Sequence, residues 1–365
     1  MSSRYEAAGV GEQSRTLAAV ARHLAPTLRH ARVLTGFGHY AAVLQLSDDL
    51  ALALCTDSVG TKTLVASGLD RYDTIGFDCV AMNVNDVLCV GARPIAMVDY
   101  IGVHTLDPRR AEALLSGLAA AASEARVAIP GGEIAQLPDV IGSDERTPGD
   151  DRTFDLVGTC AGILRPDELI TGDAIEPGDA LVGIASSGIH SNGLTLARHV
   201  LLRAGGYELD QHIDELGRTL GEELLAPTAI YARAITALWD EGIETPGLAH
   251  ITGDGLANLC RLGSRVGFVV EELPPAPAIF SLIQAAGSIS NEEMYRVFNM
   301  GIGFVVVLRD SDVEHAIECL SRSGHRAQRI GRVTQQAARL VIEPAGLIGT
   351  RDGLGAREPE RAGQA

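Results

Sequence analysis

The sequence has almost no lysine. Its 30 basic residues are 29 arginines and Lys62 alone. Positive charge as a whole is scarce. The net charge is −17, which sets aside nucleic acid as a main partner, because a phosphate backbone needs a basic patch. Small anionic ligands remain compatible, through backbone N–H groups, a few cations and magnesium. Long apolar runs are missing too. None reaches the roughly 18 residues that a bilayer-spanning helix needs, and the opening MSSRYEAAGVGEQSR carries no apolar stretch of signal type. The expectation is a cytoplasmic protein without a membrane partner. The six cysteines make no C-x-x-C pair and mostly sit in apolar runs. They read as reduced core residues rather than zinc ligands.

What is present is a chain of 365 residues, 46% hydrophobic and 21% charged, enough for two domains with their own cores. Helical spacing covers 14–30, 74–91 and 107–125. Strands read at 41–46, 50–56, 95–101, 126–130 and 154–164. Residues 140–153, rich in Gly, Pro and Asp, read as a loop. A linker with Arg165-Pro166-Asp167 and Glu176-Pro177-Gly178-Asp179 divides a domain 1–165 from a domain 166–345. In the second, strands are expected at 180–186, 267–271, 302–308 and 326–333, and helices at 194–204, 226–241 and 311–323. The tail 346–365, rich in Gly, Arg, Glu and Pro, is expected to be disordered. Strands and helices mix in both halves, so the fold class is α/β (α+β). Gly-rich turns at strand ends then frame a cleft for a phosphorylated ligand.

Lys62 stands in Thr56-Asp57-Ser58-Val59-Gly60-Thr61-Lys62. A buried strand delivers Asp57 to its end, and Gly60 lets the backbone pass close to a ligand. Thr61 offers a hydroxyl, and Lys62 a compact cation suited to phosphate. The spacing is not that of a P-loop. In the apolar helix that follows, Asp78, Asn85 and Asp86 fall at i, i+7 and i+8, on one face. A buried carboxylate needs a cation. A structural salt bridge to arginine would serve, and so would magnesium held together with nucleotide phosphates; the phosphate chemistry suggested nearby favours the second. Gly131-Gly132-Glu133 adds a carboxylate, and Asp57, Asp86 and Glu133 together suggest a three-carboxylate magnesium site. Ser187-Gly188-Ile189-His190-Ser191-Asn192-Gly193 opens a helix, where backbone N–H groups favour an anion and the side chains add donors. His190 suits a phosphate seat or acid–base work; the bland alternative is a capped turn whose His merely packs. His250-Ile251-Thr252-Gly253-Asp254-Gly255 is a similar turn.

Other segments extend the series. They are Tyr5-Glu6-Ala7-Ala8-Gly9-Val10, Gly36-Phe37-Gly38, Gly91-Ala92-Arg93-Pro94, Leu225-Ala226-Pro227-Thr228 and Glu293-Met294-Tyr295-Arg296-Val297-Phe298-Asn299-Met300-Gly301. Taken in order over residues 5–335, the set resembles the aminoimidazole ribonucleotide (AIR) synthetase family. The resemblance implies a two-domain subunit whose N-terminal sheets pair in a homodimer, with ATP near the interface. It implies a cyclo-ligase that converts a phosphoribosyl substrate, formylglycinamidine ribonucleotide (FGAM), and ATP into AIR, ADP and phosphate. Carried over motif by motif, Asp57, Asp86 and Glu133 would hold Mg2+. Asp57, Gly60, Thr61, Lys62, Asp78, Asn85 and Asp86 would hold the nucleotide. Ser187, Gly188, His190, Ser191, Asn192, Gly193 and Asn299 would take the substrate, with His190, Lys62 and His250 as catalytic candidates.

The chain also departs from the family pattern. Ile134 replaces a frequent Thr, Gln136 and Asp139 stand where Glu and Gly are usual, Asp254 replaces a Gly, and Ala257 replaces a frequent Glu. These departures bear on the substrate site. Sister families fit less well. Selenophosphate synthetase would want a Cys before Cys55, the hydrogenase-maturation dehydratase a terminal Cys in place of Ala-Gly-Gln-Ala, and thiamine-monophosphate kinase a Gly-Asp-Asp turn where Gly38-His39-Tyr40 stands. Two alternatives remain open: a paralogue acting on a related amidine, and a non-catalytic nucleotide-binding subunit.

Overall fold

Strand alternation builds the N-terminal half. The computed structural model describes residues 8, 14–142, 150–263, 265–350 and 353–356. Most of the 5–10 segment and the centre of the 140–153 loop lie outside them. After α1 (Ser14–Leu24), Pro26 tightens the chain into a 3₁₀ turn. Then come β1 (Ala42–Gln45), β2 (Ala51–Ser58), α2 (Lys62–Leu69), α3 (Ile75–Leu88), β3 (Arg93–Val103), α4 (Pro108–Ala125), β4 (Ala128–Gln136) and β5 (Phe154–Leu164). The sheet order is β1-β2-β5-β3-β4, antiparallel except for β3 with β4.

In β2, Ala51, Ala53 and Cys55 are buried while Leu54 and Thr56 are exposed, the alternation of a sheet with one covered face. The cover is α3, packed in turn on α4. Their approach is close: a Cβ on Gly76 would lie 2.1 Å from Leu118 N, and one on Gly117 2.1 Å from Asp73 O. The opposite face of the sheet leaves Leu54, Ile95, Val98 and Ile163 exposed.

The C-terminal half runs β6 (Ala180–Ala185), α5 (Leu194–Arg198), the hairpin β7 (His212–Ile213) and β8 (Arg218–Thr219), α6 (Leu220–Leu224), α7 (Ala232–Asp240), β9 (Gly247–His250) and β10 (Gly267–Val270). It continues with α8 (Ala278–Gly287), α9 (Asn291–Val297), β11 (Ile302–Leu308), α10 (Val313–Arg322), β12 (Ala327–Thr334), β13 (Leu340–Ile342), β14 (Leu347–Thr350) and β15 (Gly353–Ala356). Its main sheet is ordered β15-β14-β13-β10-β12-β6-β11-β9. Every residue of β11 is buried, as in a strand covered on both faces. No helix among the described residues is long and apolar enough to cross a membrane.

Several expectations shift. The chain enters helix α2 at Lys62 itself. The expected helix over 226–241 starts only at Ala232, because the backbone of residues 226–231 is drawn into hydrogen bonds with the other domain. The expected disordered tail instead adds β14 and β15 to the sheet, with Leu347 and Leu354 buried; residues 351–352 and 357–365 lie outside the described set. The helix from Leu194 passes into a π-turn over His199–Ala204.

Candidate active site

The end of β2 and the middle of α3 meet the loops that follow β6 and β9. Asp57 is fixed through its backbone. Asp57 N donates to Asn83 Oδ1 at 2.9 Å, and Asn83 Nδ2 donates back to Asp57 O at 3.2 Å. One carboxylate oxygen accepts from Ser58 N at 2.8 Å. Burial, with Asp86 close by, pushes the Asp57 carboxyl up to about 6. Asp86 keeps 15% of its side chain exposed and accepts from His250 Nδ1 at 2.8 Å. Cys55 Sγ lies 3.8 Å from its other oxygen. Two neighbouring carboxylates of low exposure repel each other, and a cation between them would relieve that. Hard oxygen donors with partial access suit a divalent metal such as magnesium. A cleft of about 220 Å³ opens beside them, lined in part by Gly36, Tyr40, Thr56 and Asp86.

Lys62 does not face that cleft. It is fully buried, with Nζ 2.7 Å from Asp78 Oδ1 and 2.5 Å from Ala226 O. The same Asp78 oxygen accepts from Thr228 N at 2.9 Å and Thr228 Oγ1 at 2.5 Å. Three donors on one oxygen mark Asp78 as a carboxylate and Lys62 as its ammonium. Burial pulls the lysine down, and Asp78 opposes that shift.

Asn85 shares the face with Asp78, as expected, but accepts from Tyr231 N at 3.0 Å and donates to Ala229 O at 3.0 Å. His250 is wholly buried, with Nε2 3.4 Å from Asn85 Nδ2 and Nδ1 on Asp86. The polar face of α3 is therefore a domain seam. Asp78 and Asn85 grip residues 226–231, and Asp86 grips His250. Lys62, Asn85 and His250 spend their polar atoms in the seam, against the nucleotide-facing expectation for the first two and the catalytic one for His250; Asp78 joins the seam through Oδ1 alone, while its Oδ2 is buried without a hydrogen-bond partner among the described residues. Asp78 follows the salt-bridge alternative, with lysine in place of arginine.

Across the seam, Gly60 adopts φ +72° and has nothing within 4 Å of a would-be Cβ, so its backbone is open to close approach. Thr61 Oγ1 lies 2.9 Å from Thr195 Oγ1, tying the β2–α2 turn to the start of α5. In the 187–193 loop, His190 has φ +68° and its Nε2 accepts from Ser187 N at 3.1 Å. The proton is then on Nδ1. That atom, Ser191 Oγ and Asn192 Oδ1 are buried without a hydrogen-bond partner among the described residues. Burial, with His250 and Lys62 nearby, pushes His190 well below the usual imidazole range. It is a neutral donor with its lone pair already used, which removes the general-base half of its expected role.

Ser187 Oγ donates to Pro227 O at 2.5 Å. Gly193 adopts φ +89°, and its Cβ would lie 2.4 Å from the Phe298 ring. Asn299 is spent on the loop itself. Its Oδ1 accepts from Ser186 Oγ at 3.0 Å and Gly301 N at 2.8 Å, while Nδ2 donates to Gly188 O at 2.9 Å and Ile189 O at 3.0 Å. It shapes the loop and has no atom spare for substrate.

Glu133 does not join Asp57 and Asp86. Asp57 pairs with Gly158, Gly158 with Asp99, and Asp99 with Gly132; Glu133 lies one row on, with Tyr100, Val157 and Ser58. Adjacent rows point to opposite faces. Strands β5 and β3 also intervene, about 14 Å of sheet. Among the described residues no three His, Cys, Asp or Glu side chains converge to hold a metal. The expected triad reduces to Asp57 and Asp86 within one chain, and Glu133 is exposed on the open face.

Sequence reading missed Tyr40 and Arg261. Arg261 Cζ lies 5.2 Å from the Tyr40 ring centroid, and its Nη2 bonds Asp254 Oδ2 at 2.9 Å. Tyr40 Oη donates to Asn258 O at 3.1 Å. The available signal was Asp254 itself, an unexpected acid seven residues before an arginine.

An acidic pair on one α/β domain, Asp57 at a strand end and Asp86 on the covering helix, apposed to a polar glycine loop on a second domain, defines a two-domain, cleft-forming protein. Residues 38–164 match the AIR synthase related protein N-terminal domain, and residues 176–342 match the corresponding C-terminal domain. The chain belongs to the AIR synthase related family. Among curated relatives, it is 47% identical over 319 residues to the phosphoribosylformylglycinamidine cyclo-ligase of Methanobrevibacter smithii, covering 87% of this chain and 90% of that one. It is 46% identical over 310 residues to the enzyme of the same name from Pyrococcus furiosus, covering 85% and 86%. Among solved structures, thiamine-monophosphate kinase from Stenotrophomonas maltophilia K279a superposes with a TM-score of 0.59 at 19% identity, covering 89% and 96%. Hydrogenase maturation protein HypE does so with 0.59 at 21%, covering 92% and 98%. Those two likenesses are of fold alone.

Proposed function

We propose that this chain is an ATP-dependent cyclo-ligase that closes the imidazole ring of FGAM to give AIR, ADP and phosphate in purine biosynthesis. The observation that carries the reading is the apposition of Asp57 and Asp86 on one domain with the unsatisfied His190–Asn192 loop on the other. The curated relatives bear the name of this reaction.

The formamide oxygen of FGAM is a poor leaving group. Transfer of the ATP γ-phosphoryl group to that oxygen makes it a good one. The amidine nitrogen then attacks the same carbon, the C–N bond forms, the C–O bond breaks, and phosphate leaves with the oxygen. A proton lost from nitrogen goes to phosphate or water. Chemistry of this kind needs alignment and charge stabilisation more than a strong base, which agrees with a neutral His190.

The open backbone at Gly60 and the N-terminus of α2 receive phosphate oxygens. Thr61, through Thr195, keeps that turn registered on the substrate loop. His190 Nδ1–H and Ser191 Oγ–H donate to substrate oxygens, and Asn192 Oδ1 accepts from an N–H. Pairing those atoms offsets the cost of burying them unsatisfied. Mg2+, held by Asp57 and Asp86, would neutralise phosphate charge as it does in phosphoryl transfer generally.

The exposed apolar face bearing Leu54, Ile95, Val98 and Ile163 supports a homodimer formed sheet against sheet. Such pairing would carry Glu133 to the interface. The enzyme would work in the cytoplasm. The test is ADP release from Mg-ATP by purified protein, with and without FGAM, with product mass read in the same tube. FGAM-dependent ADP together with the mass of AIR is the expected result. ADP release indifferent to FGAM, or none, overturns the reading.

A further inference from the structure

With Lys62 locked in the seam, the cleft beside Asp57 and Asp86 needs another cation for a polyanionic ligand. We propose that Arg261, aimed by Asp254 and seated on Tyr40, is the phosphate-binding cation of this cleft. The inference rests on the proposed cyclo-ligase reading and names a residue for it. Both ends of the 250–261 segment dock on the N-terminal domain. His250 bonds Asp86 at 2.8 Å, and Arg261 sits over the Tyr40 ring at 5.2 Å. Tyr40 and Asp86 line the same cleft, so the segment packs its one arginine against a residue of that cleft's lining.

The guanidinium is prepared for such work. Its side chain is 26% exposed, reachable yet partly desolvated, where charge-assisted bonds are strongest. Asp254 engages Nη2 only; Nε and Nη1 make no hydrogen bond among the described residues. A planar fork with donors to spare suits a phosphate. The Tyr40 face stacks it and removes most of its rotamer freedom. Tyr40 is itself pinned by its hydroxyl on Asn258 O, and Asn258 Oδ1 in turn accepts from Thr252 N at 2.8 Å. Asp254 then has a purpose: it aims the arginine.

Two phosphates could be the ligand, the triphosphate of ATP or the ribose phosphate of FGAM, and steady-state kinetics separate them. Arg261→Gln should raise KM for one of the two by about ten- to a hundredfold, the worth of a charge-assisted contact, with a smaller change in the other. A rise for ATP assigns the nucleotide, and a rise for FGAM the ribose phosphate. Arg261→Lys should recover part of the loss. Asp254→Ala, at an exposed position that leaves the fold intact, should raise the same KM by less. KM values for both substrates within twofold of wild type in Arg261→Gln, or equal rises in both without recovery in Arg261→Lys, overturn the proposal. If Arg261→Gln does not fold, an unchanged KM pair in Asp254→Ala overturns it. Wild-type protein that releases no FGAM-dependent ADP defeats the cyclo-ligase reading instead, and equilibrium titration with ATP alone then tests Arg261→Gln separately.

Discussion

Replacing Lys62 by Met separates a domain latch from a phosphate ligand. Lys62→Met keeps the length of the side chain and removes its charge. Asp78 is then left as a wholly buried carboxylate with only Thr228 for company. Removing one partner of a buried pair costs about 3–5 kcal/mol, a fall in Tm of roughly 6–20 °C for a protein of this order of size. Adding Asp78→Asn removes the stranded charge. The new amide oxygen can still accept from Thr228 N and Oγ1, so the remaining loss is the donor to Ala226 O, about 1–3 kcal/mol. The double variant should therefore be more stable than Lys62→Met alone. Differential scanning fluorimetry reads the Tm values, and a steady-state assay reads KM for ATP. A latch predicts that the double variant recovers Tm and keeps KM for ATP near wild type. A double variant no more stable than the single refutes the latch. So does a single variant with wild-type Tm and a raised KM for ATP, since that lysine would be reaching the nucleotide.

Asp86→Asn should abolish FGAM-dependent ADP release while the protein stays folded by circular dichroism; activity within tenfold of wild type sinks the acidic-pair assignment. In chelator-treated protein, Asp57 has a folded pKa near 6 against an ordinary 3.8, so its contribution to stability is fullest below about pH 4 and is lost as pH rises through 6. Added Mg2+ should then raise Tm more at about pH 7.5 than at about pH 5, and an equal rise at both pH values counts against metal on this pair. Val98→Arg with Ile163→Arg, on the exposed sheet face, should yield a monomer by sedimentation, and a dimer that persists in the pair moves the interface elsewhere. Gly303→Ala puts a Cβ 2.0 Å from Tyr231 Oη and 2.6 Å from His190 Cε1. It should destabilise by about 1–3 kcal/mol and slow turnover through the His190 loop; unchanged Tm and rate would show that loop to be slack.

How far the sequence could be read follows from which forces are local. Periodicity places Phe154–Leu164 and Ile302–Leu308 to the residue, because a strand's burial pattern is written along its own length. It places Asp78, Asn85 and Asp86 on one face of α3 for the same reason. It cannot say what that face meets. The partners Thr228, Tyr231 and His250 come from more than a hundred residues away, and a lysine beside a buried strand reads alike whether its ammonium finds phosphate or an aspartate on the next helix. Glu133 fails on parity and register. Its distance from Asp57 depends on the strand order β2-β5-β3-β4, which no local pattern encodes, and one residue of register turns a side chain to the other face. The tail misleads because composition, rich in Gly and Arg, outweighed two leucines, Leu347 and Leu354, that a sheet edge seven strands away from β9 could bury. Asp254 is the instructive case. As a bare departure from a glycine it reads as lost flexibility, whereas its carboxylate bonds Arg261 at 2.9 Å. An unexpected charge near a site is better questioned for the partner it recruits than for the residue it displaced.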